Sequence, residues 1–215
     1  MCSCDSNNFI KRLFPLTCDN SVINKLKIDD ESIYYISIRE IAETITNITL
    51  KCTNIDGKSL IITDTTAGVG GNTLSFANKV KHVNSIEIDK IRYDYLCNNI
   101  QAYNITNVTT YNDDFINIVK NLNHHVIFID PPWGGRGYKH HSKLKLQISN
   151  INIEDICNML FSNNIMSCVP LCVIIKLPKN YDLEYFHNHV KFKITVHELQ
   201  KMYILTIKLH QESNR

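Results

Sequence analysis

The stretch Asp64-Thr-Thr-Ala-Gly-Val-Gly-Gly-Asn-Thr73 decides the fold of this chain. A β-branched run at residues 59–63 precedes it and predicts a strand, and residues 72–80 have the pattern of a helix. A glycine-rich turn between a strand and a helix lets a ligand lie against bare backbone. The stretch lacks the Lys-Ser/Thr pair of a phosphate-binding loop, and Thr73 stands where the dinucleotide-binding pattern has its third glycine. A dinucleotide ligand is therefore disfavoured.

Outward from this turn, strand patterns alternate with helix patterns to the end of the chain. Repeated β-α units predict an α/β fold with a doubly wound, largely parallel sheet, which binds ligands at the carboxyl ends of its strands. Residues 1–56 carry helical patterns and predict an N-terminal extension, and residues 57–215 are the predicted α/β domain. Further strands are predicted at 83–88, 108–111, 126–129 and 171–176, helices at 7–16, 37–50, 90–103, 115–122 and 153–161, and an edge hairpin at 191–199 and 201–209.

Composition limits the kind of protein this can be. The chain has 215 residues of which 44% are hydrophobic, enough to bury a core. Its net charge of +2 is close to neutral, so any basic surface must be confined to one part of the protein. Eight cysteines without a Cys-x-x-Cys pair disfavour zinc, so we predict no metal and reduced thiols in an intracellular protein, cytoplasmic or nuclear. No apolar run approaches the roughly 20 residues of a membrane span. We predict a monomer without a membrane partner.

Acidic residues at the predicted strand ends indicate which ligand the turn binds. Glu87 ends the second strand, where a carboxylate can take both ribose hydroxyls of an adenosine. Asp114 and Phe115 follow the third strand and are expected to hold an adenine ring. Asp64 suits a ligand that carries an ammonium and a sulfonium. These residues favour S-adenosylmethionine over a nicotinamide dinucleotide. The predicted contacts in the turn are Asp64, Ala67, Gly68, Gly70, Asn72 and Thr73.

The segment Ile129-Asp-Pro-Pro-Trp-Gly-Gly135 ends the fully apolar fourth strand. Prolines directly after a central strand stop the ladder and stiffen the backbone. An exocyclic amino nitrogen of a nucleobase is a poor nucleophile, because its lone pair is delocalised into the ring. The carboxylate of Asp130 and the carbonyl of Pro131 can accept its two hydrogens, and Trp133 can stack on the base. The segment therefore predicts methylation of an exocyclic nitrogen.

Together, the two stretches resemble the trimethylguanosine synthases, which methylate the N2 amine of a 7-methylguanosine RNA cap. The resemblance implies a Rossmann-like class I methyltransferase fold with a seven-stranded, mostly parallel sheet and a helical N-terminal extension. It also implies S-adenosylmethionine as methyl donor and capped RNA as partner, and it leaves open whether one or two methyl groups are added. Asp130 stands where that family commonly has serine, although aspartate is usual in other amino-methyltransferases.

The resemblance extends into the N-terminal segment and assigns further contacts there. Phe14 matches an aromatic that helps to sandwich the methylated guanine against the tryptophan, here Trp133. Residues between Tyr34 and Ser37 match a segment that approaches ligand and cofactor, which assigns Tyr35 to the substrate and Ser37 to the cofactor.

Lys179-Asn180, after the fifth strand, resembles an Arg-Asn segment whose arginine contacts the cap phosphates. Lysine keeps the positive charge but loses the bidentate fork of arginine. Two other functions stay open at this point. The Asp-Pro-Pro-aromatic pattern also suits an rRNA guanine-N2 or adenine-N6 methyltransferase, and the fold is also compatible with a non-catalytic cap-binding module. A compact catalytic unit of this length suits a unicellular or viral source.

Overall fold

The computed structural model describes residues 9–209, except for the side chain of Arg136. Its residues group into two compact units, one up to Phe115 and one from Ile116 onward. The predicted domain boundary between residues 56 and 57 stays a prediction. Residues 1–8 and 210–215, at the outer ends of the two predicted domains, lie outside the described residues.

Helices precede the first strand, as the apolar spacing predicts. Residues 9–13 form α1, and α2 (Asn20–Ile23), α3 (Ser32–Tyr35) and α4 (Arg39–Cys52) follow. The buried residues of α4 recur every three or four positions, which gives this helix one apolar face. That face packs on α5 (Gly71–Ala77), where the hydroxyl oxygens of Thr46 and Ser75 lie 2.7 Å apart. The remaining helices are α6 (Lys90–Ala102), α7 (Phe115–Ile118), α8 (Ile153–Leu160) and α9 (Leu183–His189).

Seven strands form one mostly parallel sheet in the order β3-β2-β1-β4-β7-β9-β8. In the first unit, β1 pairs in parallel with β2, and β2 with β3. In the second unit, β4 pairs in parallel with β7, while β9 runs antiparallel to both β7 and β8. This arrangement confirms the predicted α/β fold class. The strands are β1 (Ile61–Asp64), β2 (His82–Ile86), β3 (Val108–Tyr111), β4 (Val126–Ile129), β7 (Cys172–Pro178), β8 (Lys193–Glu198) and β9 (Met202–Lys208).

Two short elements of the second unit have no counterpart among the predicted ones. Helix α9 buries only Phe186, so it has no apolar periodicity to predict it. The hairpin of β5 (Gln147–Ile148) and β6 (Ile151–Asn152) turns at Ser149 and Asn150, both with positive φ. Paired positive φ angles belong to the tight turns that join such strands.

Two adjacent glycines form the start of α5, one required by its backbone conformation and the other by a close contact. Gly70 has φ 102°, a left-handed conformation that glycine adopts without steric cost. Gly71 lies against Ile36, and a Cβ atom at this position would stand 2.7 Å from Cγ1 of that side chain. The backbone of the turn therefore packs directly on the segment that precedes α4.

We expect Gly71→Ala to destabilise the protein by about 1–3 kcal/mol, because Ile36 or the helix must shift to admit the new methyl group. Gly137→Ala is the matched control, since its Cβ would meet no heavy atom within 4 Å. Urea unfolding measures both variants. Equal midpoints for the two variants would contradict this account of the close approach.

Candidate active site

At the end of β1, the carboxylate of Asp64 is fully buried. Its Oδ2 atom accepts a hydrogen bond of 2.7 Å from the hydroxyl of Thr73, which also lies 2.9 Å from the hydroxyl oxygen of Ser85. Thr73 itself has no exposed surface. Thr73 was predicted to contact the cofactor. In the structure its hydroxyl connects the first turn of α5 to the end of β1.

The predicted glycine turn follows β1 and leaves backbone open to a ligand. The amide of Ala67 donates to the carbonyl of Ile86 at 2.9 Å, which fixes the start of the turn against β2. Gly68 has φ +55°, and no heavy atom lies within 4 Å of where its Cβ would stand. A side chain at Gly68 would fill this open space, so the turn suits a ligand that approaches the backbone closely.

Glu87, just after β2, is organised as an acceptor of hydrogen bonds. Its Oε2 accepts from the amide of Gly68 at 2.7 Å, and its Oε1 accepts from the amide of Asp89 at 2.8 Å. Each carboxylate oxygen has two lone pairs, so each can take one further donor. Burial raises the pKa of the Glu87 carboxyl, and the two amides oppose that shift. Such a carboxylate fits the two hydroxyls of a ribose.

Next to Glu87, Ile88 offers an apolar surface that the sequence analysis missed. Its side chain is 66% exposed although it follows a buried strand. The side-chain amide of Asn112 donates to the carbonyl of Glu87 at 2.8 Å and to that of Ile88 at 3.2 Å, so this turn is held in place. A fixed, exposed aliphatic side chain beside a ribose-binding carboxylate suits the face of a base. Exposure of an apolar residue could not be inferred from its type.

Asp114 and Phe115 differ in how far they match their predicted role. Asp114 is half-buried, and its amide donates to a carboxylate oxygen of Asp113 at 2.7 Å. Phe115 is 2% exposed and belongs to the core. Its ring therefore presents almost no surface to an adenine, and the aliphatic surface of Ile88 replaces it in our account.

Ser37 and Asn72, predicted cofactor contacts far apart in sequence, meet in the structure. The side-chain amide of Asn72 donates to the hydroxyl oxygen of Ser37 at 3.3 Å, and both residues are buried. The Oδ1 atom of Asn72 is buried without a hydrogen-bond partner among residues 9–209. A buried acceptor of this kind is costly unless a donor satisfies it. It suits a ligand that brings a hydrogen-bond donor.

In the second unit, Asp130 forms a buried ion pair that the sequence did not indicate. Lys176 lies within β7, has a side chain that is 4% exposed, and donates from Nζ to Oδ2 of Asp130 at 2.7 Å. Burial raises the pKa of the Asp130 carboxyl above its ordinary value, and the ammonium of Lys176 opposes this shift. The register of the parallel strands accounts for the contact, since Ile129 pairs with Ile175 and the next residues along are Asp130 and Lys176.

Trp133 stands beside this ion pair and lines a cavity of about 450 Å³. The Nζ atom of Lys176 lies 5.2 Å from the centroid of its indole, and the ring of Tyr138 meets it edge-on at the same centroid distance. Pro131 is buried, and Gly134 has φ +89° with open space around its Cβ position. The cavity is lined by Pro132, Trp133, Gly134, Gly137, Tyr138, His141, Leu144, Lys145, Leu146, Gln147 and Asn152.

Lys179, predicted to contact the cap phosphates, and Asn180, predicted to bind the substrate, already have protein partners. The ammonium of Lys179 pairs with the carboxylate of Glu198 and lies 4.5 Å from the centroid of the Tyr203 ring. The side-chain amide of Asn180 donates to the carbonyls of Tyr138 and His141, both at 2.7 Å. An asparagine amide has two hydrogens, so both are used. Asn180 therefore holds the loop that positions Tyr138 against Trp133.

Phe14 has no exposed ring surface for the predicted base sandwich. Its ring has no exposed surface and packs in a cluster with Leu13, Val69 and Leu96. Burial of a phenylalanine in a core is worth about 1.5–3 kcal/mol, so the ring stays there. The predicted stacking role of Phe14 is thus corrected to a core role. Tyr35, also predicted to approach the substrate, is 44% exposed at the end of α3.

Neither a metal centre nor a membrane span is found in the described part of the chain. Among residues 9–209, no three His, Cys, Asp or Glu side chains are grouped so that they could hold a metal ion. None of the helices described in this range is long and apolar enough to cross a membrane.

The sheet order, with the glycine-rich turn after β1 and the Asp-Pro-Pro-Trp turn after β4, defines a class I methyltransferase fold. The 16S rRNA N2 methyltransferase RsmC of T. thermophilus, solved with AdoMet and guanosine, has a similar fold. The TM-score is 0.59 at 15% sequence identity, over 86% of this chain and 44% of that one.

Residues 59–215 match the family model described as RNA cap guanine-N2 methyltransferase, and the chain belongs to that family. Protein L320 of Acanthamoeba polyphaga mimivirus is 39% identical over 93% of this chain and 85% of its own length. The trimethylguanosine synthase of Schizosaccharomyces pombe is 38% identical over 85 residues, which cover 36% of this chain and 35% of that protein. The predicted family is confirmed.

We expect Asn180→Ala to release the loop around Tyr138. Each lost hydrogen bond is worth about 1 kcal/mol, so the free energy of unfolding should fall by roughly 1–3 kcal/mol. Trp133 is the single tryptophan of the sequence, so its fluorescence emission reports this loop directly and should shift to longer wavelength.

The matched control is Asn158→Ala, which removes an amide that donates to the carbonyl of His189 at 2.9 Å. This variant should lose similar stability without a change in the emission of Trp133. An unchanged emission maximum in Asn180→Ala would contradict the positioning role.

Proposed function

We propose that this protein transfers a methyl group from S-adenosylmethionine to the exocyclic N2 of a 7-methylguanosine at the end of an RNA. The family assignment supports methylation of a cap guanine. The site residues support binding of the methyl donor by the first unit and of the acceptor base by the second.

The first unit has the features of a site for the methyl donor. The open backbone at Gly68, the carboxylate of Glu87 and the exposed side chain of Ile88 fit a nucleoside. The buried acceptor of Asn72 suits the ammonium of an amino-acid moiety. S-adenosylmethionine, once bound, supplies an electrophilic methyl group. The residues of this unit bind and orient it.

The second unit has the features of a site for the acceptor base. Trp133 offers an aromatic face beside a cavity large enough for a nucleotide, since ligand pockets span about 300–1,000 Å³. A 7-methylated guanine carries positive charge, and stacking on tryptophan adds a cation–π attraction of about 0.5–2 kcal/mol. An unmethylated guanine lacks this contribution. The aromatic face therefore favours the methylated cap.

Asp130 is the proposed acceptor of the amine hydrogens, together with the carbonyl of Pro131. A hydrogen bond from the amine to the carboxylate localises the nitrogen lone pair. As the bond between the nitrogen and the methyl carbon forms, the bond from sulfur to that carbon breaks and S-adenosylhomocysteine is left. The nitrogen must lose one proton, and the Asp130 carboxylate takes it before it passes to water. One observation carries this proposal. The ammonium of Lys176 contacts both the Asp130 carboxylate and the Trp133 ring, so a base stacked on Trp133 lies beside the carboxylate.

Cationic side chains near the cavity are candidates for the phosphates of a capped RNA. Lys145 lines the cavity, and Lys179 can exchange Glu198 for a phosphate, because that ion pair is partly exposed and such pairs are weak. A capped RNA substrate implies an intracellular site of action, cytoplasmic or nuclear. The mimivirus relative supports a viral source, and a monomeric state is part of the same proposal.

An rRNA guanine-N2 methyltransferase is the second candidate, because a solved enzyme of that specificity shares the fold. Adenine-N6 methylation uses the same acceptor geometry. These activities differ from the proposed one in the nucleoside that gains the methyl group, so identification of the methylated nucleoside separates them. A non-catalytic cap-binding module would methylate none.

We expect 7-methylguanosine diphosphate to quench the fluorescence of Trp133 with an affinity about two- to thirty-fold higher than guanosine diphosphate, from the cation–π contribution. Labelled methyl transfer should follow the same preference. Mass spectrometry of the product then gives the number of methyl groups added. Preferential transfer to guanosine diphosphate or to an rRNA fragment would refute the cap assignment.

We expect Glu87→Gln to weaken binding of S-adenosylmethionine by roughly ten- to a hundred-fold, since hydrogen bonds to a charged group are worth about 1.5–3 kcal/mol. Because burial raises the pKa of Glu87, wild-type affinity should fall with decreasing pH from above the ordinary pKa of a glutamate. Isothermal titration calorimetry measures both effects. Asp94→Asn, which removes an exposed partner of Lys90, is the control and should bind normally.

A further inference from the structure

We propose that Lys176 is a positioning residue for the methyl acceptor, and that Asp130 and Lys176 work as one unit. This inference rests on the proposed function, because it assigns a task within the same site. Neither the sequence patterns nor the family assignment points to Lys176.

The first observation is that the ammonium of Lys176 is buried, which costs free energy of folding unless the charge is paired. Every residue of β7 is buried, and Lys176 is the strand's one charged residue. An ammonium in such surroundings must be paired and hydrogen-bonded, or it strongly disfavours folding. Asp130 supplies a negative charge at 2.7 Å. The pair has no net charge, so a cationic base can approach it without a net repulsive charge.

The second observation is that Lys176 contacts both groups of the proposed acceptor site. Its Nζ lies 2.7 Å from Oδ2 of Asp130 and 5.2 Å from the centroid of the Trp133 indole. These two residues lie on a turn after β4, whereas Lys176 lies inside a strand. A strand is a rigid support, and a loop residue held from a strand is held more tightly than one held by its own turn. Lys176 therefore fixes the direction of the carboxylate relative to the aromatic face.

The third observation is the strand register that creates the contact. In β7, Lys176 pairs with Ile204 of β9, while the preceding residue, Ile175, pairs with Ile129 of β4. The parallel register thus brings the residue after Ile129 beside Lys176. A substitution at Asp130 alone leaves a buried ammonium behind, so its effect on activity includes the disturbance of Lys176.

The test is a double-mutant cycle with Asp130→Ser, Lys176→Met and the double variant, where methionine replaces the lysine stem without a charge. Thermal unfolding is measured first, because it needs neither substrate nor methyl donor. We expect Asp130→Ser to lower the melting temperature and the double variant to recover part of that loss. Additive effects would overturn the claim that the two residues form a unit.

Methyl transfer is measured next, with 7-methylguanosine diphosphate and guanosine diphosphate as acceptors. We expect Lys176→Met to lower kcat about 100-fold, since a misplaced catalytic group typically costs this much. The KM for the acceptor and the affinity for S-adenosylmethionine should change little. Lys176→Arg should keep the cation and recover most of kcat. A kcat for Lys176→Met within two-fold of wild type would overturn the positioning role.

The two arms separate this inference from the proposed function. If wild-type protein methylates neither nucleotide, the proposed function fails and the positioning role fails with it, while coupling in thermal unfolding still establishes the unit. If wild-type protein is active and Lys176→Met loses only melting temperature, with kcat per folded molecule intact, Lys176 is structural and the inference is wrong.

Discussion

Buried carboxylates at the ends of parallel strands impose the main constraint on this protein, because each must be matched by donors inside the fold. Asp64 is matched by the hydroxyl of Thr73, Glu87 by two backbone amides, and Asp130 by the ammonium of Lys176. The donor to Asp64 lies in α5, whereas the donors to Glu87 come from the turns after β1 and β2. These hydrogen bonds therefore fix the segments that follow β1, β2 and β4.

Within the first unit, buried polar contacts also hold the N-terminal segment against the glycine-rich turn. The side chain of Asn99 accepts from the amide of Lys27 and donates to the carbonyls of Lys27 and Val69. Val69 belongs to the glycine-rich turn after β1, so one buried amide joins the helical segment to that turn. The burial of Phe14 in the adjacent cluster adds apolar packing to this connection. The helical segment thus contributes to the shape of the turn through packing.

Patterns of strand and helix were predictable here because they depend on local spacing and composition. The apolar run of β4, the glycine turn and the Asp-Pro-Pro-Trp segment all lie in continuous stretches, and the structure places them as expected. Contacts set by register or exposure were not predictable. In the sequence, Lys176 is a single lysine at the end of an otherwise apolar predicted strand. Its contact with Asp130 follows from the pairing of Ile129 with Ile175, which spacing along the chain does not reveal. The roles of Phe14 and Phe115 rested on a family resemblance and on a place after the third strand, and neither reveals whether a ring is buried or exposed. Asn180 matched a phosphate-contacting motif, yet its donors are used within the protein.

The support of the cavity wall by Asn180 has a consequence for how this site can evolve. The side-chain amide of Asn180, which follows β7, holds the loop around Tyr138 and His141, and just beyond this loop the amide of Leu144 donates to the carbonyl of Asn180 at 2.8 Å. Insertions and substitutions in such a loop leave the strands undisturbed, because loops tolerate change far better than the elements they connect. Under the proposed function, acceptor choice would therefore diversify in this segment while Asp130 and Lys176 stay unchanged, and the loop would be the place where related proteins adapt to different RNAs.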